Sequence, residues 1–114
     1  MGNSQAIVYV KGVPAAVLTR HAQAGASHYT MQYLSEYLAK IPCYMVCYQM
    51  PPRPEPYFCE HLFPFFESIL PEGENLERIC RELKIDENDR FEQLLRLAGH
   101  DSIGDVTVRA MNQQ

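Results

Sequence analysis

The 114-residue sequence contains no apolar run approaching the ~20 residues that span a bilayer. Its N-terminus has no basic segment leading into an apolar stretch, so no signal peptide is predicted. Met1-Gly2-Asn3-Ser4-Gln5-Ala6 places Ala where a myristoylation signal needs Ser or Thr. Without an export signal the expected location is cytoplasmic, no membrane association is expected, and the four cysteines should stay reduced. A basic stripe is also missing: 10 Lys and Arg face 14 Asp and Glu, which disfavours direct nucleic-acid binding. The glycines stand singly at turns, and nothing matches a Walker A loop, a dinucleotide fingerprint or a kinase catalytic loop. Length excludes a second full domain, so residues 1–114 read as one.

What is present suits one packed core. Seven Tyr and five Phe are too much apolar area to leave in water, which argues against disorder. Charge is concentrated rather than spread. Between Glu72 and Glu92 eight acids meet four bases, and this segment accounts for the whole net charge of −4. That face reads as a solvated helix surface, with electrostatic steering of a basic partner as the alternative.

Ala6–Val10 and Ala15–Thr19 are β-branched, aromatic or small, and the break between them predicts a hairpin closing on Gly12. Residues 21–27 read as a loop, His28–Tyr33 as a third strand and Leu34–Lys40 as a short helical connection. Cys43–Gln49 is apolar on both faces, which predicts a central fourth strand. Four prolines in Pro51–Pro56 predict a stiff surface loop.

Three helical stripes follow. They are Leu62, Phe65, Phe66 and Ile69 in a helix over Glu60–Leu70, then Leu76, Ile79, Cys80 and Leu83, then Phe91, Leu94, Leu95 and Ala98. Asp86 is the candidate N-cap of the last helix and Gly99 its exit. Asp105–Arg109 alternates as a closing strand. The expected fold is therefore α+β, a small, mostly antiparallel sheet of about five strands with three helices packed on one face.

Candidate chemistry is sparse. Cys43, Cys47, Cys59 and His61 lie within nineteen residues, but on a strand the first two thiols would stand about 13 Å apart, too far for one zinc. They read as small buried hydrophobes, with no metal expected. Cys80 lies on an apolar stripe and reads as core rather than nucleophile. His100-Asp101-Ser102 holds triad residue types side by side, whereas a triad converges from separate elements, so loop capping is the reading. The carboxylates of the acidic segment are expected on exposed helix faces.

No catalytic constellation and no cofactor motif is present. The chain is expected to bind rather than catalyse. Tyr57, Phe58, Phe63, Phe65 and Phe66 cannot all point one way, so another part of the fold or a partner must cover some of them. Tyr57, Phe58, His61, Phe63 and Phe66 are the candidate partner-binding residues.

Several stretches in order resemble the N-terminal subdomain of HipA-type serine/threonine kinase toxins. They are Tyr9–Gly12 through Leu18-Thr19, Pro56–Phe58 with Leu62–Gly73, Ile85–Leu95, and Asp101–Val108. The central Leu62–Gly73 motif is the specific one. The resemblance covers almost the whole chain and stops about where the kinase core would begin, so no catalytic residue is carried over.

The resemblance implies a free-standing small protein similar to HipS of split HipBST systems. Such a protein docks on the separately encoded HipT/HipA-like kinase as an antitoxin, in a toxin–antitoxin system linked to bacterial persistence. Its alternative is a non-inhibitory scaffolding subunit, or an excised N-terminal fragment, that supports assembly with a HipB-like DNA-binding protein. The ordinary Met start and the polar tail favour the free-standing protein. In the split systems a tryptophan is implied to obstruct the kinase site. This chain has none, which hands that part to Phe63 or Phe58.

Overall fold

The computed structural model describes residues 3–23, 26–68, 70, 73–86, 89–97 and 106–110. Strands β1 (Asn3–Val10), β2 (Val13–Gln23) and β3 (Ala26–Tyr33) lead into a single helical turn, α1 (Ser35–Leu38). A three-residue strand β4 (Tyr57–Cys59) precedes helices α2 (Pro64–Glu67), α3 (Gly73–Leu83) and α4 (Arg90–Leu97), and β5 (Val106–Ala110) closes the sheet. All four pairings are antiparallel, and the strands run β4-β3-β2-β1-β5. The α+β class and the five-stranded sheet agree with the expectation.

The hairpin closes as its residues require. Lys11 (φ 53°) and Gly12 (φ 79°) both take left-handed backbone, the two-residue turn whose twist matches antiparallel strands. A bulge between Val8 and Tyr9 lets Ala15 fall outside the β1–β2 pairing, so Ala15 and Ala16 are both buried despite being neighbours. The Ala15 carbonyl instead accepts the Leu34 N–H (2.9 Å), which fixes the entry to α1.

Strand alternation places Val8 and Val10 of β1, Ala16 and Leu18 of β2, Met31 and Tyr33 of β3, and Val106 and Val108 of β5 on one buried face. Leu62, Phe63, Phe66, Phe91 and Leu94 pack against it. On the other face lie Gln5, Thr19, Thr30 and Phe58 in one cross-strand row, beside His21 and His28.

Four expectations are corrected. Cys43–Gln49 is not a strand, and β4 is Tyr57–Cys59, which occupies the free edge of β3. The apolar character of 43–49 arises because Val46 and Met50 point into the core while Tyr44, Met45 and Tyr48 point outward. The helix expected over Glu60–Leu70 is only the turn Pro64–Glu67. Pro64 sits in its first turn, extended Phe63 caps it, and the Ser68 hydroxyl donates to the Phe65 carbonyl (2.6 Å) at its end.

The cap of α4 is Asp89 rather than Asp86, since Asp89 Oδ1 accepts the Glu92 N–H (3.1 Å), the geometry of an N-cap three residues upstream. Asp89 also accepts from Arg20 Nη1 (3.0 Å), so this carboxylate is not on a free helix face. Residues 21–23 extend β2 instead of forming a loop, with His21 paired to His28 across the strands. Gly99 and His100-Asp101-Ser102 lie outside the described residues. Cys80 is buried as expected, at 2% exposure.

Candidate docking surface

The segment between α1 and the proline loop has no regular secondary structure, yet its backbone is held at two points by buried tyrosines. The Val46 N–H donates to the Tyr33 hydroxyl (2.8 Å), which itself donates to the Met50 carbonyl. The Tyr37 hydroxyl donates to the Tyr44 carbonyl (3.0 Å) and accepts the Tyr44 N–H (3.1 Å). The two rings stack 6.3 Å apart. Burial pushes the Tyr33 phenol up to about 12, against the opposing pull of the Val46 N–H, and burial also raises Tyr37. A tight turn in which Met50 N–H donates to the Cys47 carbonyl (3.0 Å) completes the frame. Backbone groups that a strand ladder would have satisfied are met by side-chain hydroxyls instead.

With Val46 and Met50 anchored inward, their neighbours along the segment are displayed. Tyr48 is 88% exposed, Ile41 97%, and Tyr44 and Met45 nearly half. Tyr44, Met45 and Tyr48 line an open groove of about 750 Å³ that also takes in Val10 at the end of β1, Val106 at the start of β5 and Phe65 of α2. Cys43 and Cys47 also line the groove. Among the described residues Lys11 is the only charged one in the lining, and its Nζ lies 5.1 Å from the centre of the Tyr44 ring. Aromatic and thioether side chains thus stand exposed around one apolar groove. Such a patch on a small domain marks a surface that associates.

The residues singled out from sequence are distributed differently. Tyr57 is half-buried on the packed side, with the Arg53 guanidinium 3.8 Å above its ring and its hydroxyl donating to the Pro51 carbonyl (2.6 Å). Phe58 points to the opposite face, 57% exposed, against His28 (5.1 Å), which stacks on His21 (4.6 Å). His61 is exposed at a polar cleft with Arg20, Glu67 and Arg90. Phe63 (7% exposed) and Phe66 (0%) belong to the core and meet edge to face, 6.3 Å apart. In this conformation only Phe58, His61 and part of Tyr57 offer surface, and these three do not form one patch with the groove.

Cys43 and Cys47 lie in the groove, Cys59 in β4 and His61 beyond it. No three potential metal ligands converge among the described residues. The strand-spacing objection to a zinc site lapses with the strand, and it is this dispersal that separates the groups.

The model of the HipA N-terminal domain matches residues 6–109. The chain belongs to the HipA N-terminal domain family. A comparison with curated proteins finds no match. For this family member β2, β3, β4 and the central Leu62–Gly73 motif fall inside the matched span, as do all but the first three residues of β1 and the last residue of β5. No helix among the described residues is long and apolar enough to cross a membrane. The groove escaped the reading of sequence because it joins the ends of β1 and β5 to a segment more than thirty residues from either. The local signal was the bracketing of 43–49 by Pro42 and Pro51, which is hard to reconcile with a central strand.

Proposed function

We propose that this HipA N-terminal domain is a docking protein. It binds a separately encoded HipA/HipT-type serine/threonine kinase in the cytoplasm and restrains it as an antitoxin, performing no catalysis itself. The observation that carries the reading is the exposed apolar groove with its lip of Tyr44, Met45 and Tyr48. Family membership supports it, because a domain that elsewhere adjoins a kinase carries an interface that a separate chain must satisfy across two molecules.

Of the two aromatics that stand in for the missing tryptophan, Phe58 has the surface to obstruct a kinase site, whereas Phe63 is buried. The test is co-expression with the kinase encoded beside it, scoring growth, complex formation and phosphorylation. A stable complex with lower kinase activity and restored growth is expected. A stable complex with unchanged or raised activity would replace the antitoxin role by a scaffolding one, in which the pair assembles with a HipB-like DNA-binding protein.

A further inference from the structure

We infer that the groove beneath residues 43–49 is a receptacle for an aromatic side chain of the partner kinase, so that in this contact the kinase inserts and this chain receives. The inference rests on the docking reading above. It places the main contact away from Tyr57–Phe66.

The chemistry of the lining selects the occupant. Cys43, Met45 and Cys47 supply polarisable sulfur, and Tyr44, Tyr48 and Phe65 supply rings. Sulfur and ring edges both favour an aromatic guest over an aliphatic one. Among the described residues no carboxylate lines the groove and the one charged group is the Lys11 ammonium. A cationic guest would be repelled there, while a neutral ring flanked by acidic residues is complementary. The volume, about 750 Å³, lies within the range that holds a large side chain together with the backbone carrying it.

The groove is also built before its guest arrives. Tyr33 and Tyr37 hold the loop from within the core, so displaying Tyr44, Met45 and Tyr48 requires no ordering of backbone on binding. Preorganisation of this kind lowers the cost of association.

The experiment uses the full chain and the full-length kinase in titration calorimetry. It includes Tyr48→Ala, Met45→Glu and Phe58→Ala, with circular dichroism melts confirming that each variant is folded. Tyr48 is almost fully exposed, so its variant keeps the fold whatever Met45→Glu does. Each groove variant is expected to weaken binding about 30-fold, as for a buried anchor contact. Phe58→Ala should change affinity less than threefold while relieving inhibition. Benzoylphenylalanine placed at Met45 should cross-link to one kinase peptide, and changing the aromatic residue of that peptide to Ala should match the loss seen with Tyr48→Ala.

Losses below tenfold in both groove variants, with the complex intact, overturn the groove and leave the docking reading standing. A cross-linked peptide without an aromatic residue overturns the aromatic assignment. Sedimentation of the isolated chain as a dimer that Tyr48→Ala dissociates would make a second copy the occupant and overturn the kinase guest. No complex with the native chain would remove the docking reading itself, and this inference with it.

Discussion

Replacing Tyr33 with Phe removes one oxygen and leaves the ring, so it isolates what the hydroxyl does. That oxygen serves two backbone groups at once, the Val46 N–H and the Met50 carbonyl. Both residues are nearly inaccessible, at 5% and 3% exposure, so water does not readily replace the lost partner. A buried polar group left unpaired costs roughly 1–3 kcal/mol. The neighbouring groove gives partial access to solvent, which places the expected loss for the two groups together at about 2–4 kcal/mol. In a domain of this size that lowers Tm by roughly 10–20 °C. Urea titration should show a lower midpoint with an unchanged slope, because no extra surface is exposed.

The pH dependence supplies a second arm. Burial holds Tyr33 up at about 12 in the folded chain, above its ordinary 10.0, so folding favours the neutral phenol. Its contribution is fully present below pH 10 and disappears as pH climbs through about 12, a span worth roughly 2–3 kcal/mol. The stability gap between native and variant proteins should therefore narrow between pH 10 and 12. Equal stability within about 0.5 kcal/mol at neutral pH, or a gap that stays constant to pH 12, would refute the claim that this hydroxyl holds the loop.

Phe63→Ala should cost about 3–5 kcal/mol in chemical denaturation, because its ring is core, whereas exposed Phe58→Ala should stay within about 1 kcal/mol. Asp89→Ala removes both the α4 cap and the Arg20 pair and should cost about 1–2 kcal/mol, with Asn recovering most of it in thermal melts because it keeps the cap. Gly12→Val should destabilise the hairpin by more than about 1 kcal/mol through its left-handed backbone alone. A side chain there meets nothing within 4 Å, so Gly12→Asn should retain more stability in the same assay.

What could be read in advance was whatever short-range pattern alone decides. β1, β2 and β5 carry their alternation within five or six residues, and the turn at Lys11-Gly12 announces itself by the glycine. In α4 the 3.6-residue stripe marks the inward side, with Phe91 and Leu94 buried, and in α3 it does so at Cys80 but not at Leu83, which is 39% exposed. The reading failed where side chains from distant elements overrode local pattern. Residues 43–49 look like a buried strand, but Tyr33 and Tyr37 supply the hydrogen bonds a ladder would have given, and half of the apolar residues face out. Leu62 lies on the stripe of a longer helix, yet it is buried ahead of Pro64 in extended chain. At the surface, Phe58 was identifiable as a candidate, while Tyr44, Met45 and Tyr48 were hidden by being counted as core.

Because the path of the 43–50 segment is set by hydroxyls that reach it from β3 and α1, the outward residues at 44, 45 and 48 contribute little to its shape. Frame and lettering are thus separable in this molecule. Substitution at those three positions, with Tyr33 and Tyr37 retained, offers a route to change what this surface displays without rebuilding the scaffold.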